Sequence, residues 1–498
     1  MKSFLPDVNP ATIRVLIVED DANVRRIVIK LLEHSGYTVI EAKDGTEAIS
    51  VIQTERPDIV LCDYMLPHRN GVEICEHIKA DPELQSIFFI AMTAAAERSV
   101  EEAFFEAGAD EFLQKPIDTR VLGLRLRAAA RIVHRTKHRD EAHQSMFREM
   151  DVLLVQDGGC APGYNPVTAF LAHDLERLGR NVYCARLGFK SVVSGKIDDY
   201  VRLAYHEHIF EAIDGIPGVF DCRWLSDAPG AQFRCERFKE FKQDDYVRKA
   251  AENIRARKVK AVIGIGGNGT FFGMKDLAKY LDGIQLAFIP VTVDSDVCET
   301  DTIGQFTGVE IGAGKLRNYL ADARTHKRVY VVELMGARGG YHALFSGLGA
   351  RVHLAVLPGM KLHYAAVMEG INKRSGAVIA VAEGWEHGNP ERAGLNAAEY
   401  LARKLQASGV APNKRIIAEP FSRDLRGAMP NYQDIALAQR FSAGTVRELQ
   451  KGTSCFMWAV EGTERCIHFD AISTDNTVSP ELAALANRLG PECVTSFH

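Results

Sequence analysis

Short apolar runs alternate with helix-like segments along the first 130 residues. Four of the runs predict strands, namely residues 15–18, 59–62 and 87–92 and a run that ends at Lys115. The segments between them repeat apolar residues at helical spacing, for example over 24–34 and 45–54. Alternating strands and helices predict a parallel sheet with helices on both faces. The carboxyl ends of such strands meet at one edge of the sheet, where ligands bind.

Each of these predicted strands ends beside a residue that can bind phosphate or a metal ion. Three carboxylates, Glu19, Asp20 and Asp63, suit a hard cation such as Mg²⁺. Such an ion would neutralise a phosphoryl group on Asp63, while Thr93 and Lys115 bind its oxygens. Solvated acids at strand ends are the alternative, and five suitable positions in the right order disfavour it.

Residues 12–130 resemble the receiver domain of two-component response regulators. The resemblance is carried by VLIVEDD at 15–21, DYMLP at 63–67, Thr93, Lys115-Pro116 and Phe112. It implies a flavodoxin-like receiver domain over residues 1–130 and phosphorylation of Asp63 by a cognate histidine kinase. It further implies that the Thr93 hydroxyl and the Phe112 ring shift inward on activation.

Length and composition place this region within a larger protein. The 498 residues exceed one compact core, so two or three domains are expected. A net charge of −5 gives no reason to expect nucleic-acid binding, and no apolar run approaches the ~20 residues that span a bilayer. The first ten residues do not read as a signal peptide, and ten cysteines occur without CxxC pairs. A reduced, cytoplasmic setting without membrane partners is therefore expected.

The segment that follows the receiver-like region contains no glycine or proline from residue 124 to residue 157. Residues 131–149 are strongly charged and are expected to form a linker. The segment predicts one long helix that continues the last helix of the first region. A solvated, partly disordered linker is the alternative.

Beyond the linker, strands followed by glycine-rich turns begin again. A strand at 152–155 precedes a glycine loop at 158–163, and a strand at 259–265 precedes Gly-Gly-Asn-Gly-Thr at 266–270. Such turns present backbone N–H groups to phosphate, although each one alone can simply reflect a turn that needs glycine. A third strand ends in Pro-Val-Thr-Val-Asp-Ser-Asp at 290–296. A phosphate cradle beside a carboxylate base is what phosphoryl transfer to a sugar hydroxyl requires.

Residues 150–470 resemble the phosphofructokinase family. Four segments in order carry the resemblance: GGNGT, PVTVDSD, TDTIG at 300–304 and VVELMGARGG at 331–340. The resemblance implies a domain over residues 150–498 built from two Rossmann-like α/β subdomains. It implies transfer of a phosphoryl group from ATP or pyrophosphate to the 1-hydroxyl of fructose 6-phosphate. Mg²⁺ would enter with ATP, and the chain would form a homo-oligomer.

The resemblance also implies roles for individual residues. Asp294 would be the base that accepts the proton of the sugar hydroxyl, and Thr292 and Asp296 would lie beside it in the catalytic site. Arg237 would contact the nucleotide phosphates and the transferring group. The two glycine loops would bind the donor through Gly158, Gly159, Gly267, Asn268, Gly269 and Thr270. Sugar-phosphate contacts would come from Met335, Glu383, Arg415, Arg423 and Arg426, and from Arg328 of a neighbouring subunit.

Three positions depart from the family pattern. Asn268 stands where the motif has an Asp that helps to hold Mg²⁺, and an amide is a weaker ligand. Ala337 stands where the family has arginine, with Arg338 next to it. The loop at 420–430 appears two residues longer than usual, and Arg423 replaces a histidine. The resemblance implies ATP rather than pyrophosphate as the donor. Gly269 and Val291 stand where the pyrophosphate-using relatives carry Asp and Lys.

Two functions are consistent with this pattern. The first is an ATP-dependent sugar-phosphate kinase whose activity depends on phosphorylation of Asp63. The second is a catalytically weak or inactive sensor of a sugar phosphate or nucleotide within a two-component phosphorelay. Asp294, Thr292, Arg237 and Arg328 favour the kinase, whereas Asn268, Ala337 and the 420–430 loop favour the sensor.

Overall fold

Two units make up the computed structural model, Met1–His143 and Gln144–His498. The described residues are 9–93, 98–233, 238–336, 339–421, 423–474, 479–489 and 494–497. The first unit has one parallel sheet, the second has a larger mixed sheet and a smaller parallel one, and each unit has its own hydrophobic clusters.

The first unit contains a five-stranded parallel sheet in the order β2-β1-β3-β4-β5. Its strands are β1 (Arg14–Val18), β2 (Thr38–Ala42), β3 (Ile59–Asp63), β4 (Phe88–Thr93) and β5 (Glu111–Gln114). Its helices are α1 (Ala22–His34), α2 (Gly45–Glu55), α3 (Gly71–Ala80), α4 (Arg98–Glu106) and α5 (Thr119–Met146). This is the strand order of flavodoxin-like folds, so the predicted fold class is confirmed for this unit.

Alternating residues of each strand pack on opposite faces of this sheet. Leu16 and Val18 join a cluster with α2, α3 and α4, whereas Val15 and Ile17 join a second cluster with α1 and α5. Burial on both faces is why the strands read as continuous apolar runs rather than as an alternating pattern.

The second unit contains fourteen strands and eleven α-helices among its described residues. The strands are β6 (Val152–Gln156), β7 (Val182–Ala185), β8 (Tyr200–Ala204), β9 (Val219–Asp221), β10 (Ala261–Gly266), β11 (Gln285–Pro290), β12 (Arg328–Leu334), β13 (Leu354–Val356), β14 (Met360–Leu362), β15 (Ala377–Ala382), β16 (Arg415–Phe421), β17 (Phe456–Glu461), β18 (Thr463–His468) and β19 (Val494–Phe497). The helices are α6 (Tyr164–Glu176), α7 (Phe189–Ser194), α8 (Glu207–Ile213), α9 (Asp244–Ala256), α10 (Asn268–Ala278), α11 (Gln305–His326), α12 (Tyr341–Ala350), α13 (Tyr364–Asn372), α14 (Ala397–Gln406), α15 (Tyr432–Gln450) and α16 (Pro480–Ala486).

These strands form two main sheets, each with helices on both faces. The larger sheet has the order β18-β17-β11-β10-β6-β7-β8-β9, and the smaller has the order β13-β15-β12-β16. Strands β14 and β19 form a separate antiparallel pair. Helix α11 leads from the larger sheet to the smaller one, and one hydrophobic cluster takes residues from both sheets. The predicted pair of α/β subdomains is confirmed.

Within the described ranges, no helix combines the length and the apolar character needed to cross a lipid bilayer.

Candidate functional site

The first unit brings three carboxylates together at the carboxyl edge of its sheet. Oxygen atoms of Glu19, Asp20 and Asp63 lie within 4.8 Å of one another. Glu19 and Asp63 are buried and Asp20 is exposed, so a cation held here would be open to solvent on one side. Oxygen ligands in this number and arrangement fit Mg²⁺.

Lys115, from the end of β5, lies between the two buried acids. Its Nζ is 2.7 Å from Glu19 Oε2 and 2.8 Å from Asp63 Oδ2. Burial lowers the pKa of Lys115, but its hydrogen bonds to Asp63 and Glu19 outweigh burial and raise that pKa overall. Burial raises the pKa of Glu19, partly opposed by Lys115. The raised pKa favours the charged form of Lys115 beside Asp63.

Thr93 and Phe112 occupy the neighbouring strands β4 and β5. Thr93 is buried at the end of β4, next to the strand that carries Asp63. The half-buried Phe112 ring stacks on Phe105 with 6.1 Å between ring centroids, and its centroid is also 6.1 Å from that of Phe104, which it meets in a T-shaped arrangement. Phe105, its stacking partner, is exposed.

In the second unit, three adjacent strands of the larger sheet point their carboxyl ends into one cleft. Strands β11, β10 and β6 are neighbours and run parallel. The cleft beyond them has a volume of about 680 Å³. Ten of the predicted site residues line it, namely Gly158, Gly159, Gly267, Asn268, Gly269, Thr270, Thr292, Asp294, Asp296 and Arg426.

The two glycine loops are bonded to each other through one carbonyl group. The carbonyl oxygen of Asp157 accepts hydrogen bonds from Tyr164 Oη at 2.8 Å and from Thr270 Oγ1 at 2.9 Å. A Cβ atom on Gly266 would lie 2.1 Å from Thr270 Oγ1 and 2.4 Å from that same carbonyl. Only glycine therefore allows the loops to approach this closely.

Helix α10 begins inside the cleft. Its first residue is Asn268, and the preceding Gly267 has no side chain with which to cap the helix. The first backbone N–H groups of a helix have no partner within the helix, and the helix dipole adds partial positive charge there. This end of α10 can therefore bind a phosphate group.

Thr292 fixes the backbone of the loop that carries the two carboxylates after β11. Its Oγ1 accepts a hydrogen bond from the backbone N–H of Asp294 at 3.0 Å. Burial raises the pKa of Asp296, opposed by its own backbone N–H, by Thr292 and by Arg426. Ser295, between the two acids, has a φ of 47° and bonds through Oγ to Gln305 at 2.8 Å.

The cleft also contains acceptor atoms that fit a cation. Oδ1 of Asn268 and Oδ1 of Asp296 are buried and have no hydrogen-bond partner within the described part of the chain. A buried acceptor without a partner is costly, and a hard cation such as Mg²⁺ satisfies oxygen atoms of this kind. The residues present therefore fit a bound Mg²⁺.

An aromatic wall on one side of the cleft was missed by the sequence analysis. Phe189 and Phe241 stack at 4.1 Å with an interplanar angle of 10°, Phe238 lies 6.5 Å from Phe241, and Phe272 also lines the cleft. A Cβ atom on Gly273 would lie 2.6 Å from the Phe189 ring, so this glycine lets α10 approach the rings. Lys239, Lys242, Asp157 and Asp276 also line the cleft. The only signal for this wall was the aromatic spacing near residue 240, since Phe189 lies far away in sequence.

The remaining predicted sugar-site residues lie at opposite ends of the smaller sheet. Met335 and Glu383 follow the carboxyl ends of β12 and β15, whereas Arg328 and Arg415 pair at the other ends of β12 and β16. A seven-residue strand such as β12 spans about 20 Å. Arg328 is 3.6 Å from Asp322, on the surface. The two arginines therefore cannot share a site with Met335 in one copy of the chain.

Arg426 bridges the two subdomains at the cleft, where its Nη1 donates a hydrogen bond to the carbonyl of Cys160 at 3.3 Å. Arg237, Ala337 and Arg338 lie outside the described residues, as does the side chain of Arg423, whose backbone forms a short 3₁₀ turn.

Comparisons with known proteins match both units. Residues 151–449 match the family model described as phosphofructokinase, and residues 15–127 match the response regulator receiver domain. An ATP-dependent 6-phosphofructokinase 1 of Clostridium perfringens is 27% identical over 308 residues, covering 60% of this chain and 86% of that protein. An ATP-dependent 6-phosphofructokinase of Thermotoga neapolitana is 26% identical over 346 residues, covering 68% and 99%.

A solved structure of phosphofructokinase from Saccharomyces cerevisiae has a TM-score of 0.53 and 19% sequence identity. The match covers 69% of this chain and 47% of the yeast chain, so this chain spans about half the length of that neighbour. At this identity the likeness shows the fold.

Proposed function

Because this chain belongs to the phosphofructokinase family and carries a response regulator receiver domain, we propose that it is a receiver-regulated sugar-phosphate kinase. The second unit transfers the γ-phosphoryl group of ATP to the 1-hydroxyl of fructose 6-phosphate or a related sugar phosphate. The observation that carries this proposal is the meeting of Asp294 and both glycine loops in one cleft, at three adjacent strand ends.

The chain's own residues account for the main steps of transfer. The N-terminus of α10 and the glycine loops hold the donor's phosphates, and the aromatic wall supplies a stacking surface for a purine. The sugar's 1-hydroxyl oxygen forms a bond to the γ-phosphorus as the bond to the β-phosphate oxygen breaks and ADP leaves. Asp294 accepts the hydroxyl proton. Phosphoryl transfer depends mainly on such positioning and on charge neutralisation.

Mg²⁺ and the arginines would neutralise the negative charge of the donor's phosphates and of the sugar phosphate. Asp296 and Asn268, with the nucleotide itself, are the groups that would hold the ion; when bound, Mg²⁺ neutralises phosphate charge. Arg237 and Arg426 would bind phosphate from the same chain, and Arg423 would assist at the sugar phosphate. Arg328 and Arg415 would reach the sugar site of a second copy, beside that copy's Met335 and Glu383, which requires a homo-oligomer.

A coupled assay with ATP, Mg²⁺ and fructose 6-phosphate tests the reaction. Asp294→Asn keeps the size of the side chain but removes the base, and we expect kcat to fall by about 10²- to 10⁴-fold. Pyrophosphate in place of ATP should give little turnover. Asp174→Asn is the matched control, because Asp174 bonds to Ser442 on α15 and does not line the cleft. Equal turnover by the two variants would refute the role of Asp294.

Regulation is proposed to begin at Asp63. A histidine kinase would transfer a phosphoryl group to its carboxylate beside Lys115, Thr93 and a Mg²⁺ held by Glu19, Asp20 and Asp63. We propose that residues 1–130 receive the signal, residues 131–149 connect, and residues 150–498 transfer phosphoryl groups. Wild type and Asp63→Asn are compared before and after treatment with acetyl phosphate. Identical kinetics in all four samples would contradict regulation through Asp63.

The sensor function remains as a second candidate because Asn268 occupies a cleft position where an acidic metal ligand is expected. A sensor would bind ATP or a sugar phosphate without transferring a phosphoryl group. Calorimetry on the same preparation distinguishes the two. Binding with no measurable turnover, in the presence of Mg²⁺, would favour the sensor.

A further inference from the structure

The peptide group just before Asp294 is held at both of its ends. Its N–H belongs to Asp294 and donates to Thr292 Oγ1 at 3.0 Å. Its carbonyl belongs to Val293 and accepts a hydrogen bond from Nε2 of His342. A peptide group is planar, so fixing both ends fixes its orientation and the direction in which the Asp294 side chain leaves the backbone.

The histidine comes from the other subdomain. His342 lies in the first turn of α12, which packs on the smaller sheet, whereas Val293 follows β11 of the larger sheet. Its ring is fully buried and lies against Gly308 of α11, where a Cβ atom would come within 2.3 Å of Cε1. The hydrogen bond therefore joins the loop that carries the base to the helix that follows Met335.

The two ring nitrogens of His342 have different surroundings. With Nε2 donating, Nδ1 remains buried and has no hydrogen-bond partner within the described ranges. A buried polar atom without a partner costs about 1–3 kcal/mol, so this nitrogen offsets part of what the bond to the buried Val293 carbonyl contributes. Burial also lowers the pKa of His342 to about 4, opposed by its bond to Val293, so the ring stays neutral at physiological pH. The interaction that this neutral ring provides is therefore its hydrogen bond to the carbonyl of Val293.

We propose that His342 is a positioning residue that aims Asp294 at the acceptor hydroxyl by holding the carbonyl of Val293. This inference rests on the proposed phosphoryl transfer but concerns a residue that does not touch the substrate. Geometry matters strongly in such a step, because a displacement of about 1 Å can cost 100-fold in rate.

Two substitutions at this position test the inference. His342→Leu removes the donor at similar volume, whereas His342→Gln places an amide N–H near the position of Nε2. We expect kcat of the Leu variant to fall about 10- to 100-fold, with the KM for ATP little changed, and the Gln variant to recover most of the rate. His353→Leu is the matched control, because Nδ1 of His353 accepts a backbone hydrogen bond from Val378, away from the cleft.

Hydrogen exchange of the full chain provides the second measurement. The amide of Asp294 should exchange faster in His342→Leu than in wild type or His342→Gln. The inference would be overturned if His342→Leu and His342→Gln had the same kcat and the same exchange rate at the Asp294 amide. It would also be overturned if His353→Leu lost as much kcat as His342→Leu. If His342→Leu does not fold, Gly308→Ala displaces the ring and should give the same result.

The two proposals fail in different ways. Absence of turnover in the wild type would refute the proposed kinase, while the exchange comparison would still decide whether His342 holds the loop. Turnover in the wild type with an unaffected Leu variant would refute the role of His342 alone.

Discussion

One methyl group added at Gly273 should displace the stacked rings of the aromatic wall and so test whether they bind substrate. In Gly273→Ala the new Cβ would lie 2.6 Å and 2.8 Å from two atoms of the Phe189 ring and 3.3 Å from the Phe241 ring. Carbon atoms in contact prefer about 3.5–4.0 Å, so the stacked pair must move by about 1 Å. Both rings are buried and both line the cleft, so they can be displaced toward the cleft.

The size of the effect follows from two opposing terms. Overpacking a well-packed core costs about 1–3 kcal/mol. Replacing glycine by alanine inside a helix gains about 1 kcal/mol. We therefore expect Gly273→Ala to lower the free energy of unfolding of the second unit by about 0–2 kcal/mol. Gly314→Ala in α11 is the matched control, because a Cβ there meets nothing within 4 Å and should stabilise.

Substrate kinetics test what the wall binds. Stacking of a base on an aromatic ring is worth about 1–3 kcal/mol, so displaced rings should raise the KM for ATP about 5-fold or more. The KM for fructose 6-phosphate should stay near that of wild type. The reasoning is refuted if Gly273→Ala and Gly314→Ala have the same urea midpoint and both keep the wild-type KM for ATP.

Three further outcomes are expected. Asn268→Asp should lower the Mg²⁺ concentration for half-maximal rate, because a carboxylate binds the ion more strongly than an amide; an unchanged Mg²⁺ titration would contradict this role. The pKa of His342 falls from 6.5 to about 4 on folding, so its contribution to stability is complete above pH 6.5 and is lost as the pH falls toward 4. Wild type should therefore lose up to about 3 kcal/mol more than His342→Gln over that range in urea unfolding. Ser295→Asn should raise the thermal midpoint, since Asn tolerates the positive φ better than Ser does; a lower midpoint would show that the bond to Gln305 matters more.

The residues at strand ends were accessible to sequence analysis for a physical reason. A buried parallel strand produces a short apolar run, and the residues just after it lie at the carboxyl edge of the sheet. Asp63, Thr93 and Lys115 were placed beside one another on this ground, as were Asp294 and the glycine loops. Short-range pattern alone was sufficient because each loop remains next to its own strand.

Residues that reach the site from distant parts of the sequence could not be predicted from local sequence pattern. His342 is 49 positions from Val293, and Phe189 reaches Phe241 from a different helix. Neither has a local pattern that differs from an ordinary core residue. The separation of Arg415 from Met335 likewise became evident only from the length and register of β12 and β16. For Arg328 the same register agrees with the neighbouring-subunit role that the family resemblance implies.

Periodicity and turn residues act locally, so they were enough to predict the two α/β units, the order of their strand-end motifs and the side chains available for chemistry. The folded chain was needed to show which rings wall the cleft, which helix holds the loop before Asp294 and that Arg415 lies far from Met335 within one copy. Those relations depend on packing between segments distant in the chain, and packing leaves no periodic signal in either segment.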